Sequence, residues 1–194
     1  MGRALCRAAG VAALMAAVPV VGRTAQPVAA APFASGAATF VLHSTIIGRF
    51  TGQARVARAA FSGGQLAEIR GQAVVLVAEM RTGNGLRDRH MRETMSADSF
   101  PEIRFDLDSV EAGSSAGDST GVVLVGRLAA HGVTRPLRAT GSVVARPDGE
   151  EVEATFGLDM RDFGIRPPVR ALVLHVAPDV AVTVHLTFGG GPPP

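Results

Sequence analysis

The side chains that could do chemistry in this 194-residue chain are five histidines, two Arg–Asp dipeptides and scattered acidic residues. A histidine metal site normally draws its ligands from closely spaced pairs, with cysteine or carboxylate ligands beside them. Here no two histidines are two, three or four residues apart and no cysteine supports them, so the sequence predicts no metal site. The histidines are His43, His90, His131, His175 and His185.

Covalent catalysis is not indicated either. No serine or threonine stands in a nucleophile elbow, and the chain has no glycine-rich phosphate loop. The single cysteine, Cys6, lies in a segment that we expect to be removed. We therefore predict that the protein is not an enzyme and needs no cofactor. An enzyme that acts on the head group of a lipid is the alternative.

The dipeptides Arg87-Asp88 and Arg161-Asp162 are the polar pairs that could serve a site. Such pairs often brace a helix or loop through charge-assisted hydrogen bonds, and we favour this interpretation. An arginine near the mouth of a cavity could also contact a pyrophosphate. Arg87 and Arg161 are therefore kept as candidate ligand-binding residues.

The first thirty residues have the pattern of a cleavable export signal. Arg3 and Arg7 give it a positive start, residues 8–21 are mostly apolar, and residues 28–30 are small. The apolar run is shorter than the roughly 20 residues that span a membrane. We predict cleavage after Ala30, a periplasmic protein, and no membrane span after cleavage. A retained N-terminal anchor is the alternative.

Cleavage would change the charge of the chain. It has 19 arginines and no lysine against 17 acidic residues. Three arginines leave with the signal, so the remaining chain carries about −1 rather than +2. No nucleic-acid binding is expected from this balance. The remaining chain also lacks cysteine, which suits an oxidising compartment.

After a predicted disordered leader at 31–37, most of the chain alternates apolar and polar residues, as strands with one buried face do. The clearest case is a hairpin whose turn contains His131-Gly132, because glycine accepts a positive φ. We predict loops at 111–119 and 161–169 and a flexible tail at 189–194. The predicted strands lie near 38–43, 46–61, 66–80, 103–107, 122–128, 137–143, 152–160 and 180–188.

The alternation stops between Asn84 and Met95. There Leu86, His90, Met91 and Met95 recur at steps of roughly one helical turn, and Asn84 is a suitable N-cap. We predict one short helix near residues 85–95. Eight antiparallel strands and one helix indicate an all-β domain at 38–188, an eight-stranded antiparallel barrel. A β-sandwich is the alternative.

A barrel of this size is either packed solid or holds one small ligand. Met91 and Met95 could cap one mouth, because methionine adapts to varied apolar shapes. The other candidate lumen residues are chosen by alternation along the strands. They are Phe40, Leu42, Phe105, Leu107, Leu124, Leu128, Phe156, Leu158, Val182 and Val184.

Five segments, in order and at compatible spacing, resemble the signature of the YceI-like family, also called the lipid or polyisoprenoid-binding family. The resemblance covers about Thr39 to Phe188. The chain departs from the family pattern at Phe100, where tyrosine is frequent, and at 93–95. The segments are Phe40–Gly52, Thr82–Arg92, Phe100–Phe105, Gly126–Leu137 and Arg161–Ile165.

This resemblance implies a lipocalin-like barrel whose apolar lumen takes an isoprenoid lipid, such as a quinone or a prenyl phosphate. It implies a periplasmic protein that binds, transports or stores that lipid. Family members tend to pair, so the resemblance also implies a homodimer. The alternatives are the head-group enzyme and a packed, stress-protective barrel without a ligand.

Overall fold

The structure is a computed structural model that describes residues 32–63, 66–167, 169–170 and 174–189. These residues form eight barrel strands, one short two-stranded hairpin and one α-helix. The elements are β1 (Phe33–Ser44), β2 (Gly48–Ser62), β3 (Arg70–Leu76), α1 (Gly85–Thr94), β4 (Glu102–Ala116), β5 (Ser119–Ala130), β6 (Val133–Arg146), β7 (Gly149–Asp159), β8 (Val169–Arg170), β9 (Leu174–His175) and β10 (Asp179–Gly189).

The barrel strands follow the order β1-β10-β7-β6-β5-β4-β3-β2 and close on themselves. Every neighbouring pair is antiparallel, and closure leaves no sheet edge unpaired. The predicted all-β barrel with one short helix is confirmed, and the β-sandwich is wrong. The predicted hairpin is β5–β6, whose turn residues His131 and Gly132 have φ of 50° and 76°.

Two predicted boundaries are corrected by the structure. The leader predicted at 31–37 is strand from Phe33 onward, because Phe33 pairs with Phe188 across β1–β10 and their rings are 5.9 Å apart. The loop predicted at 111–119 is mostly strand, since β4 continues to Ala116 and pairs with the start of β5. Alternation did not find either stretch, because their Ala, Gly and Ser residues give little hydrophobic contrast.

The predicted third strand is shorter than expected, since 3₁₀ turns at Leu66–Glu68 and Val77–Glu79 flank β3. The irregular segment after β7 begins with a third 3₁₀ turn, Met160–Phe163. The predicted tail is strand at Gly189. The predicted signal at 1–30 and the rest of the tail lie outside the described residues.

Apolar side chains fill one end of the barrel, which we call the closed end. There the ring of Phe61 stands nearly perpendicular to that of Phe188, 5.7 Å away. Leu107, Val110 and Val122 form a buried cluster beside them. At the opposite end, which we call the helix end, α1 links β3 to β4.

Candidate functional site

A cavity of about 220 Å³ lies inside the barrel, between the helix end and the closed end. Every residue on its wall is Ala, Val, Leu, Ile, Met or Phe. A wall of this composition offers no side chain for proton transfer or ion pairing. It can hold an apolar group by removing that group from water.

Most of the apolar residues that alternation selected meet at this cavity. Leu107 is the exception. It pairs with Gly71 on β3 and Gly126 on β5, and its side chain is buried in the cluster at the closed end instead. The eleven candidates on the wall are Phe40, Leu42, Met91, Met95, Phe105, Leu124, Leu128, Phe156, Leu158, Val182 and Val184.

Sequence reasoning missed a group of wall residues at the helix end. Met80 follows a 3₁₀ turn and Met160 begins another, so with Met91 and Met95 four methionines line this end of the cavity. Phe163 and Ile165 also line the wall. Alternation along the predicted strand at 152–160 does include Met160, which was not chosen as a candidate, but it ends there and cannot reveal Phe163 or Ile165. The signal that could have found Phe163 and Ile165 was their place in a segment that resembled the family.

Helix α1 and its C-cap residue bring two of these methionines to the cavity. Its first turn is capped as predicted, since the Asn84 side chain accepts a hydrogen bond from the backbone N–H of Arg87 at 3.0 Å. Met95 is buried and Met91 is half-buried. Leu86, which was expected on the same face, is 56% exposed.

Asp88 anchors the start of α1 from inside the fold. It is buried, and its Oδ1 accepts from the hydroxyl of Thr82 at 2.6 Å and from the Thr82 N–H at 2.7 Å. Burial alone raises the pKa of this carboxyl. The two Thr82 hydrogen bonds and the nearby charges of Arg81 and Arg92 outweigh burial and hold the pKa below its ordinary value.

The two arginines that were candidate head-group contacts have different surroundings. Arg161 braces its turn through Asp159, with its Nε 3.0 Å from both carboxylate oxygens, and these hydrogen bonds lower the pKa of Asp159. Arg87 places its guanidinium 4.6 Å from the centre of the Phe50 ring. It has no acidic partner among the described residues, and neither arginine lies on the cavity wall.

The predicted Arg–Asp pairs do not form ion pairs between their own members in the described part of the chain. Asp88 turns inward to Thr82, whereas Arg87 lies over Phe50. Arg161 turns to Asp159 rather than to Asp162. Adjacent residues on a helix or turn point in different directions, so neighbours in sequence are poor ion-pair partners.

Residues 30–188 match the family model described as a YceI-like domain. This chain belongs to the YceI-like family. The resemblance inferred from the five sequence segments is therefore confirmed. No curated protein matches the chain.

Solved structures of similar fold agree with this assignment. A polyisoprenoid-binding domain from Saccharophagus degradans, implicated in plant cell wall breakdown, has 15% identity and a TM-score of 0.65, covering 83% of this chain and 99% of its own. BcnA from Burkholderia cenocepacia has 14% identity and a TM-score of 0.63, covering 78% and 95%. The Campylobacter jejuni YCEI protein has 14% identity and a TM-score of 0.55, covering 70% and 81%.

Three family segments of this YceI-like chain meet at His131, and we call this contact the latch. The Nδ1 of His131 is 3.2 Å from the carbonyl oxygen of Phe163, and its Nε2 is 3.4 Å from the hydroxyl of Ser96. Its ring lies 4.6 Å from that of Phe100. The latch joins the β5–β6 turn to the exit of α1 and to the turn after β7.

The described residues contain no cluster of His, Cys, Asp and Glu that could hold a metal ion. Among them, no helix is both long and apolar enough to cross a bilayer.

Proposed function

We propose that this YceI-like protein binds a polyisoprenoid lipid in its barrel cavity and carries or stores it in the periplasm. The observation that supports this most directly is the barrel cavity with an entirely apolar wall. The Saccharophagus degradans domain of the same fold is named as polyisoprenoid-binding. The wall residues, including the eleven selected from the sequence, are the proposed contacts of the isoprenoid tail.

The binding free energy of such a ligand comes from apolar surface removed from water. Burying roughly 400 Å² at about 25 cal/mol per Å² yields on the order of 10 kcal/mol before losses. Immobilising the lipid takes back a large share of this free energy. The binding of the tail therefore depends on the apolar surface that it buries and not on polar contacts.

The size of the cavity constrains how the lipid enters. At about 220 Å³ it is smaller than the roughly 300–1,000 Å³ of ordinary ligand pockets. A long tail therefore enters only if wall side chains move aside. The four methionines at the helix end are the side chains best suited to this, because each has several soft torsions and a polarisable sulfur.

The polar head group would stay at the helix end. The wall carries no charge, so a quinone ring or a phosphate gains nothing by entering it deeply. Arg87 stacks on Phe50 near this end and has no acidic partner among the described residues, so we assign it the head-group contact. Arg161 is already satisfied by Asp159 and is assigned a bracing role.

Native mass spectrometry of the mature protein, followed by organic extraction, tests this function. We expect about one isoprenoid lipid per chain, and an N-terminus near residue 31 in protein recovered from the periplasmic fraction. A protein that stays free of lipid after incubation with quinones and prenyl phosphates would contradict the proposal and favour a packed barrel. A protein that converts the lipid would indicate an enzyme.

A further inference from the structure

The large apolar side chains that are exposed in the described residues all belong to two neighbouring segments at the helix end. Ile46 and Ile47 form the β1–β2 turn and are 61% and 51% exposed. Leu86, in the first turn of α1, is 56% exposed. The contact of Arg87 with Phe50 joins the start of α1 to the start of β2.

Two arginines flank these side chains. Arg49 is exposed one residue beyond Gly48, and Arg87 follows Leu86. Neither forms an ion pair with any described acidic residue. Of the acidic groups on α1, Asp88 is buried against Thr82 and Glu93 lies 3.9 Å from Arg89. We call Ile46, Ile47, Arg49, Leu86 and Arg87 the mouth patch.

We propose that the mouth patch docks the barrel onto an anionic lipid bilayer. Apolar side chains on a turn and a helix end can insert into the interfacial region, while adjacent arginines attract anionic head groups. Each arginine near such a surface strengthens binding about fivefold, and the attraction weakens as salt is added. An isolated exposed apolar residue is ordinary. Three at one end of the barrel, beside two arginines that form no ion pair in the described part of the chain, form a specific surface.

Docking here would place the methionine-lined end of the cavity against the membrane. Met91 lies on the same helix as Leu86, Met95 is the C-cap of that helix, and Leu42 lies on the strand that leads into the Ile46-Ile47 turn. A water-insoluble tail could then pass between bilayer and cavity without crossing water. This consequence rests on the proposed lipid binding, whereas the docking itself does not.

Vesicle flotation with the full mature protein tests the docking. Vesicles of phosphatidylcholine with phosphatidylglycerol, free of isoprenoid, should carry the protein upward at low salt, and pure phosphatidylcholine vesicles should carry far less. The double variant Ile46→Ser/Ile47→Ser should lower the vesicle partition coefficient at least about tenfold, since both apolar side chains are lost from the interface. Arg49→Gln should lower it about fivefold.

Two exposed residues away from the mouth patch supply the controls. Arg55→Gln changes an exposed residue of β2, and Ala116→Ser changes one at the opposite end of the barrel. Both variants should float like the wild type. Wild-type protein that ignores anionic vesicles, or patch variants that float unchanged, would overturn the proposal. A patch variant that changes only the oligomeric state would overturn it too, and would assign the patch to a second copy of the chain.

Flotation tests the membrane docking and lipid uptake tests the proposed function, so either proposal can be refuted without the other. Docking without any isoprenoid uptake would refute the proposed function and leave the membrane surface standing. Uptake of a detergent-solubilised quinone without flotation would refute the membrane docking and leave the proposed lipid binding standing.

Discussion

Ser44 is a buried polar residue at the helix end of β1. Its hydroxyl has no hydrogen-bond partner, whereas the other buried polar side chain of the described residues, Asp88, accepts two hydrogen bonds at Oδ1. Ser44 continues the inward alternation of Phe40 and Leu42. A buried hydroxyl without a partner keeps its desolvation penalty, so this position should be a weak point in stability.

We expect Ser44→Ala to raise the free energy of unfolding by about 1 kcal/mol, because the unpaired hydroxyl is removed at little loss of packing. For a domain of this size the melting temperature should rise by about 2–4 °C. Urea and thermal unfolding measure both quantities. Ser35→Ala, exposed on the same strand, is the matched control and should change neither. A destabilised Ser44→Ala would show that the hydroxyl has a partner.

Asp88 should make stability depend on acidity. Its folded pKa lies below the ordinary value of 3.8, so the unfolded state binds more protons in this range and stability falls as the pH drops below about 4. Asp88→Asn should lower the free energy of unfolding at neutral pH by about 2 kcal/mol, because the charged acceptor of two hydrogen bonds is gone. The stability of this variant should also depend less on pH in the acid range.

Melting temperatures measured from about pH 2 to about pH 7 cover the range in which carboxylates titrate and give this pH dependence. Asp98→Asn, at an exposed carboxyl on the exit from α1, is the control. If Asp88→Asn kept the full acid dependence of the wild type, the anchoring role of this carboxylate would be wrong.

Single residues on the strands were predictable from sequence, and those on turns were not. Alternation found Phe40 and Val182 because a strand points every second side chain to the lumen. It could not find Phe163, which lies on a 3₁₀ turn, or the partner of Asp88, which comes from the loop before α1. The placement of Leu107 failed for a different reason, since alternation gives the face but not the depth at which the cavity ends.

The latch shows how separate elements are held in register. The β5–β6 turn contacts the exit of α1 through Phe100 and the turn after β7 through the carbonyl of Phe163. Gly132 is at its centre, with φ of 76°, and a Cβ there would lie 2.7 Å from the Phe100 ring. Glycine is therefore required both by backbone conformation and by the close approach of the ring.

We expect Gly132→Ala to lower the free energy of unfolding by about 2–4 kcal/mol, through backbone strain and displacement of Phe100. Gly117→Ala isolates the first effect, because Gly117 has φ of 59° but no atom within 4 Å of a Cβ there. Gly117→Ala should lower the free energy of unfolding by only about 1 kcal/mol. Urea unfolding compares the two variants. Equal losses would show that the ring contact at the latch contributes nothing.

Elements with strong hydrophobic contrast were predictable, and those with weak contrast were not. The helix and its Asn84 cap were found because the two-residue period broke and a capping side chain preceded the break. The far half of β4 was missed because its Gly, Ser and Ala residues lie on an exposed part of the hairpin with β5. Pairing with a neighbouring strand, rather than burial, makes that segment a strand.

The closed barrel and its cavity depend on all the strands together. Closure was favoured by the number of antiparallel strands and by the family resemblance, and the structure confirms it. Periodicity alone could not separate a packed core from a cavity, because both place apolar residues on the inner face. The space left between those side chains is a property of their summed volumes and emerges only in three dimensions.

Filling the cavity tests the central claim most directly. Ala54 is 3% exposed on the cavity wall, and Ala60 is exposed on the outer face of the same strand. We would titrate the wild type, Ala54→Leu and Ala60→Leu with a quinone and confirm their folding by circular dichroism. The two variants compare a larger side chain in the cavity with the same side chain on the outer face. We expect one quinone per chain for the wild type and Ala60→Leu, and at least about tenfold weaker binding for Ala54→Leu. A folded Ala54→Leu protein that binds like the wild type would show that the lipid does not occupy the barrel cavity.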